Sequence, residues 1–370
     1  MNAISVIMPC HNRARELPRV LDGYDRQDTD QPFEVIAVDD ASTDDTFRVL
    51  SEYPPHAFSL SVERQPANRG PAAARNRAIP MAESPLLLFV GDDIVPEPDF
   101  IRRHIQIHRY LPDICCAVLG RVTWPDDMPQ NTLMAHIDGL GAQQFSYYYF
   151  QDGKQYDFRH FYTANISAKR ELLLSVDHWF DTDFTYAAFE DTELAYRLVK
   201  HGLRILYSSA PVGRHYHYHT VWTFAARQHR AGMMACVFDR KHPGVMRRSS
   251  IAAARYWRGF GPLARAYLAL KPEAAGAGDG LEAAALQLAS FYEWKPNRLL
   301  DRLYVGVLDY FWRKGVVDGR INDPEVARPI HDYLARRTLA PVLAGFIREA
   351  LPEGIALPEE LTHSLLGRLS

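Results

Sequence analysis

Within the first hundred residues four short β-rich runs, ISVIMP, FEVIAVDD, FSLSVERQ and PLLLFVGDD, alternate with three segments of helical character. RELPRVLDGYDRQ is amphipathic at helical spacing, STDDTFRVLSEY opens on a Ser/Thr/Asp cap, and GPAAARNRAIPMA continues as a helix after its glycine and proline. The order βαβαβαβ predicts an α/β fold, a mostly parallel sheet covered by helices on both faces. In such sheets ligands lie outside the carboxyl ends of the strands. Three of the runs end in polar clusters, PCHNR after the first, DDASTDD after the second and GDD after the fourth, so all three are expected at one crevice.

The last of these clusters poses an electrostatic problem. Leu86 to Val90 is wholly apolar, and a single glycine separates it from Asp92 and Asp93. Adjacent carboxylates repel, and burying one unpaired charge is costly, so the pair needs a cation or an exposed loop. A hard divalent ion that also bridges phosphate oxygens satisfies both charges. An isolated Asp-Asp pair is most often a solvated turn. Its place at the end of an apolar strand, where binding residues collect, argues for more. Asp39 and Asp40 end the second run and can accept hydrogen bonds from a base or a ribose. Asp44 and Asp45 suit the N-terminus of the next helix, where the dipole favours anions.

Further along, CCAVLGRVTW reads as a strand, FEDTELAYRLVKHG as a helix ending at Gly202, and LRILYSS as a strand leading into RHYHYHT. Acidic residues are common in a first helical turn, so Glu190 and Asp191 have a structural explanation beside the functional one, in which Asp191 is a general base. His215, His217 and His219 alternate, and an extended segment puts them on one face. One of them joining a carboxylate-held metal is favoured over a zinc site built from this run alone. The aromatic run FSYYYF, Phe145 to Phe150, is expected to pack between sheet and helices ahead of serving as a sugar-stacking platform.

A chain of 370 residues is long enough for one large domain, or for a domain and an extension. Hydrophobic residues make up 47% and charged residues 24%, ordinary for a soluble globular protein and unlike a disordered or membrane-spanning one. A net charge of -3 gives no sign of a general polyanion binder, so nucleic acid is not an expected partner. Cys10, Cys115, Cys116 and Cys236 show no paired framework and no C-x-x-C, which predicts reduced thiols. No basic leader precedes the first strand, and no apolar run reaches the roughly 18 residues of a membrane helix. The expected location is the cytoplasm, with docking at the inner face of a membrane left open.

Taken in order, SVIMPCHNR, VIAVDDASTDDT, NRGPAAARNRAI, LLLFVGDDIVPEPDF, YTANISAKRELL, FEDTELAYRLVKHGLRILY and the HYH that follows resemble the family-2 glycosyltransferases of the GT-A fold, over residues 4 to 217. The resemblance implies a nucleotide-diphosphosugar donor, a UDP-sugar first, and a divalent metal, Mn2+ or Mg2+. It implies transfer with inversion to a hydroxyl of a carbohydrate or lipid-linked acceptor, in polysaccharide, glycolipid or glycoconjugate synthesis. Pro9, Cys10 and Asn12, with Asp40 and Asp39, would then hold base and ribose, and Arg75 would lie near the nucleotide or diphosphate. Asp92 would face the ribose or the metal shell, Asp93 would bind the metal with His215, His217 being the alternate, and Asp191 would be the catalytic base. Asn165, Lys169 and Glu190 come second, near the donor sugar and acceptor. Many members carry three consecutive aspartates where this chain has GDD, so any contact of the first aspartate is in question.

Other classes fit less well. A nicotinamide dehydrogenase wants G-x-G-x-x-G after the first strand, where PCHNRAREL stands. A nucleotidyltransferase on a similar fold would carry a Gly-rich, Arg/Lys-bearing loop there. A non-catalytic nucleotide-sugar-binding protein would share most of these residues, and the presence of Asp191 beside the Asp-Asp pair favours the enzyme. The catalytic domain is expected over 1–244, with a nucleotide-binding half to about 115 and an acceptor-side half after it. A helical region over 245–370 follows, interrupted by the flexible stretch KPEAAGAGDG. Its segment IAAARYWRGFGPLARAYLAL suits an anionic membrane surface, and equally packing on the catalytic domain or a homo-oligomer interface.

Overall fold

The computed structural model of the chain describes residues 2–139, 144–145, 147–245, 277–321, 323–358 and 361, with side chains from 280 onward in the helix that starts at 277. It divides into two compact units, Met1–Pro129 with Phe145–His217, and Gln130–Gln144 with Tyr218–Ser370. The boundary expected at 244 falls after the long helix Val221–Lys241; the division by contacts precedes that helix and assigns 130–144 to the second unit.

The first unit is built on one sheet. Its strands are β1 (Ile4–Cys10), β2 (Phe33–Asp39), β3 (Ser59–Arg64), β4 (Leu86–Val90), β5 (Ile94–Pro96), β6 (Cys116–Thr123), β7 (Gln155–Tyr156), β8 (Asn165–Lys169) and β9 (Arg204–His215). Their spatial order is β3-β2-β1-β4-β8-β6-β9-β5, with β7 also on β9. The first four are parallel neighbours, as the βαβ alternation requires. β8 enters antiparallel between β4 and β6, β6 and β9 pair in parallel, and β5 and β7 run against β9. The sheet is therefore mixed, with most strands in one direction.

Six helices accompany the sheet: α1 (Leu17–Asp25), α2 (Thr46–Glu52), α3 (Gly70–Ala78), α4 (Phe100–Tyr110), the short α6 (Arg170–Leu173) and α7 (Glu190–Val199). α5 (Thr132–Gly139) belongs to the other unit. β4 reads as an unbroken apolar run because both of its faces are covered. Leu86, Leu88 and Val90 join Leu17, Val20, Phe100 and Ile101 in one core, and Leu87 and Phe89 join Ala72, Ala74, Leu194 and Leu198 in the other. Cys10 lies opposite Asp39, and Asp39 opposite Arg64, so the loops after three parallel strands leave the sheet side by side.

In the second unit α5 is joined by α8 (Val221–Lys241), α9 (Ala277–Phe291), α10 (Leu300–Asp318) and α11 (Pro324–Ala350). α8 and α10 approach backbone to backbone: a Cβ on Gly232 would meet the Trp312 carbonyl, and one on Gly315 the His229 carbonyl. Gly315→Ala is expected to cost about 1–3 kcal/mol, the usual price of overpacking a tight core, read by urea unfolding. An unchanged midpoint would mean that the two helices can move apart freely.

No helix of the described residues is long and apolar enough to cross a membrane. The segment 251–270, read from sequence as a membrane or packing surface, lies outside the described residues, as does most of the stretch 271–280. All four cysteines are free thiols.

Candidate active site

The Asp-Asp pair sits in the turn between β4 and β5, and β5 pairs antiparallel with the end of β9, Ile94 opposite His215. That pairing brings together residues far apart in sequence. His215 Nε2 lies 3.5 Å from Asp93 Oδ2, and His217 Nδ1 lies 2.9 Å from the same oxygen. The three ligand atoms fall within 4.8 Å of one another. The Trp124 indole stacks on the His215 ring at 5.2 Å and 11°, fixing its plane. One carboxylate and two imidazoles form a mixed oxygen and nitrogen donor set that could hold a divalent transition ion. Both histidines, offered as alternates by the sequence, are in place. His219 is buried against Phe224 in the other unit.

Gly91 explains the departure at GDD. A Cβ there would come within 2.9 Å of Asp93 Oδ1, so the glycine leaves room for that carboxylate to fold back toward the histidines. Burial would raise the pKa of Asp93, but the charge and hydrogen bond of His215, then His217 and Arg13, hold it well below the carboxylate range. Asp92 moves the other way, up to about 6, through burial first and then the charge of Asp93. Its Oδ2 accepts from the His11 amide at 2.9 Å, which ties the turn after β4 to the loop after β1.

Arg13 completes this cluster and was not singled out by the sequence. Its Nε lies 3.3 Å from Asp92 Oδ1, and its Nη2 lies 3.0 Å from both Asp93 Oδ2 and His217 Nδ1. The Arg13 amide donates to Thr46 Oγ1 at 2.7 Å, so the start of α2 anchors the backbone from which this side chain reaches.

The first two loops divide into a solvent-facing rim and a buried frame. Asn12, exposed and at φ 53°, accepts from the Thr43 amide at 2.8 Å, and His11 and Asn68 stand beside it. Pro9 is partly buried, and Cys10 is 1% exposed, its thiol pushed well above the usual range by burial and then by Asp92 and Asp39. Asp39 and Asp40 belong to the frame. Asp39 accepts from the Ser42 amide at 3.1 Å and pairs with Arg64 Nε at 3.1 Å. Asp40 accepts from Gln65 Nε2 at 2.7 Å and from the amides of Arg69 and Gly70 at 2.8 and 2.7 Å, capping α3. Asp44 serves α2, accepting from the Thr46 amide at 3.0 Å.

Asp191 lies in the first turn of α7, partly exposed, behind Phe189 in a left-handed conformation at φ 70°. Burial, then the charge of Glu190, raises its pKa to about 7, opposed by Arg75 and by the amides of Thr192 and Thr163. Among the described residues, the non-glycine residues with positive φ, Asn12, Ala41 and Phe189, all sit in these loops, where strained backbone collects at functional sites. Tyr162, next to Thr163, packs on Phe145, which in turn contacts His215, so the aromatic run bridges Asp191 to the histidines within this unit. Tyr147 and Phe150 pack against the core beneath.

Further residues expected at the ligand turn inward. Arg75, placed by the resemblance near the diphosphate, is 5% exposed and forms a 2.9 Å ion pair with Glu190, its guanidinium over the Phe180 ring. Asn165 is fully buried: Oδ1 meets His104 Nε2 at 2.8 Å, and Nδ2 donates to the carbonyls of Arg121 and Pro211 at 3.0 and 2.9 Å. It stitches α4, β6 and β9 where the register of β6 shifts. Lys169 likewise donates to the Leu111 carbonyl at 2.8 Å.

Residues 5–174 match the family described as Glycosyl transferase family 2. The likeness to glycosyl transferase family 2 is carried by this stretch, somewhat under half of the chain. The family match includes Arg13, Asp92 and Asp93 and ends before Asp191 and the histidines.

Validoxylamine A glucosyltransferase of Streptomyces hygroscopicus subsp. jinggangensis is 28% identical over 283 residues, covering 66% of this chain and 62% of that protein. The match thus spans somewhat under two thirds of that relative's length. Poly(ribitol-phosphate) beta-N-acetylglucosaminyltransferase TarS of Staphylococcus aureus is 36% identical over 95 residues, 25% of this chain and 16% of its own. Among solved structures, the mannosyltransferase PcManGT from Pyrobaculum calidifontis, in complex with GDP-Man and Mn2+, superposes with a TM-score of 0.53 at 21% identity, over 87% of this chain and 88% of that one. At that identity the likeness concerns the fold, which is GT-A with a C-terminal helical region.

Proposed function

We propose that this chain is an inverting family-2 glycosyltransferase that moves a sugar from a nucleoside-diphosphosugar to an acceptor hydroxyl, in polysaccharide, glycolipid or glycoconjugate synthesis. The observation that carries the reading is the convergence of Asp93, His215 and His217 at the end of the parallel strands, with Asp191 on a helix of its own. A divalent ion held by those three would neutralise charge on the leaving diphosphate. Two imidazoles favour a transition ion such as Mn2+ over Mg2+, which prefers oxygen ligands. His11, Asn12, Thr43 and Asn68 form the exposed rim on which the base and ribose would rest, with Pro9 and Cys10 behind it and Asp39 and Asp40 holding the loops in shape.

The carboxylate of Asp191 takes the proton of the acceptor hydroxyl as that oxygen bonds to the anomeric carbon. The bond from that carbon to the diphosphate oxygen breaks on the opposite face, and the nucleoside diphosphate leaves. A base with a pKa of about 7 is matched to such a task near neutral pH. The same carboxylate, raised by burial and Glu190, favours the enzyme over a protein that only binds nucleotide-sugars.

The relatives' names span glucosyl and N-acetylglucosaminyl transfer and unlike acceptors, so the test is a screen of UDP-, GDP- and dTDP-sugars, UDP-sugars first, with Mn2+ or Mg2+, read as released nucleotide. Release is expected with one donor class, more with Mn2+ than Mg2+, and abolished by EDTA. Its rate should rise with pH through about 7 and level off above, because only ionised Asp191 accepts the proton. Binding of a nucleotide-sugar without turnover at any pH would favour the binding protein instead.

A further inference from the structure

The position of Arg13 has a consequence that rests on the metal site proposed above. A guanidinium has five N–H donors and no acceptor, and it stays charged at any ordinary pH. Its Nη2 sits 3.0 Å from His217 Nδ1, which must therefore present a lone pair to it. The same Nδ1 lies 2.9 Å from Asp93 Oδ2, an acceptor that asks the nitrogen for a proton. One ring nitrogen cannot do both. With a lone pair on Nδ1 the conflict is met by Arg13, whose Nη2 donates one N–H to His217 Nδ1 and the other to Asp93 Oδ2 and so occupies two of the atoms that would hold the ion. A metal ion held by Asp93 Oδ2, His215 Nε2 and His217 Nδ1 needs those same lone pairs, so Arg13 has to withdraw for it to bind.

Charge points the same way. Arg13 Nη2 lies 3.0 Å from both Asp93 Oδ2 and His217 Nδ1, two of the three atoms that would hold the ion, in a corner where Asp93 is 7% exposed. A bare divalent ion beside a fixed guanidinium crowds like charges together. An ion arriving with a diphosphate brings its own anions, and a guanidinium released from Asp93 is well suited to pair with phosphate oxygens.

We propose that Arg13 is a resident, displaceable cation of this site, which makes the preferred ligand a complex of divalent ion and nucleoside diphosphate rather than the ion alone. Nucleotide and ion then bind with positive coupling, since each favours the arrangement in which Arg13 has left the carboxylates.

The test is Mn2+ binding by the full chain at pH 8, read from the EPR signal of free Mn2+, with and without UDP or GDP. In the wild type, nucleoside diphosphate is expected to tighten Mn2+ binding at least about tenfold. Arg13→Gln should bind Mn2+ alone about tenfold more tightly than wild type and lose most of that coupling. Arg13→Lys, which keeps the charge without the fork, should fall between and covers the case in which Arg13→Gln folds poorly. In EDTA Arg13→Gln should melt lower than wild type, and Mn2+ alone should raise its melting temperature by more. If wild type and both variants bind Mn2+ equally well without nucleotide, this inference is overturned and the metal site stands. If none binds Mn2+ under any condition, both are overturned.

Discussion

Asp191→Asn is expected to lower the transfer rate about 10²–10⁴-fold, the usual contribution of a positioned general base, while making the protein more stable above neutral pH. The two effects share one cause. Burial and the neighbouring Glu190 raise the Asp191 pKa to about 7, from an ordinary value of 3.8. Between those values the folded chain holds a proton that the unfolded chain has lost. Stability contributed by this group therefore falls as pH rises through that window, and above about pH 7 the folded state carries the whole cost of an unfavourably placed charge. Asparagine removes the charge and keeps an oxygen for the Thr192 amide, which donates to Asp191 Oδ1 at 2.7 Å. The variant should melt above wild type at pH 8, with the difference shrinking toward pH 4. Thermal melts across that range, beside a nucleotide-release assay, check both halves. A variant that transfers normally would remove Asp191 from the chemistry, and one that melts lower at pH 8 would contradict the raised pKa.

What could be read in advance depended on how each residue does its work. β1, β2 and β4 were legible because strands buried on both faces are mostly apolar, and the residues that end them are abruptly polar. α4 was not, because two of its buried positions are His104 and His108, kept neutral by burial that lowers their pKa to about 4 and about 3. A helix whose core face includes histidines hides its period. β8 was equally hidden. Its partners β4 and β6 lie far away in sequence, and its antiparallel insertion breaks the pattern that made the first half readable.

The site shows the same division. Asp93 and one of His215 and His217 are named through the family resemblance, since by residue type alone the Asp pair suits a solvated turn and the histidines suit structural roles. That Asp40 turns inward to cap α3 could not be foreseen, because a strand-end carboxylate is chemically able to serve a ligand or a helix N-terminus. Arg13 was overlooked for the opposite reason: an arginine after a strand is unremarkable until the carboxylates it compensates are seen. The polar loop PCHNR did carry that signal, as the nearest cation in the chain to a crevice expected to gather two aspartates.

Arg75 and Glu190 bear the second large effect. Their side chains are 6% and 3% exposed and meet at 2.9 Å, yet Arg75 Nε and Glu190 Oε2 find no hydrogen-bond partner. A buried pair with spare polar atoms adds little net stability, whereas breaking it strands a charge. Arg75→Met is expected to cost about 3–5 kcal/mol, because Glu190 is left buried and uncompensated beside Asp191. Arg75→Met with Glu190→Met should recover most of that loss, since an apolar pair of similar volume demands no solvation. The cycle is measured by urea unfolding of the four proteins. The pair also acts on the base: Arg75 lowers the Asp191 pKa and Glu190 raises it, so the pH limb of transfer should move up in Arg75→Met and return in the double variant. If the double variant were as unstable as Arg75→Met, the arginine would be holding the fold by its packing over Phe180, 5.2 Å from the ring centre, and charge would be the lesser part. Recovery of both stability and pH limb would instead mean that the two charges cancel each other, on the fold and on Asp191 alike, and that either one alone is what harms the protein.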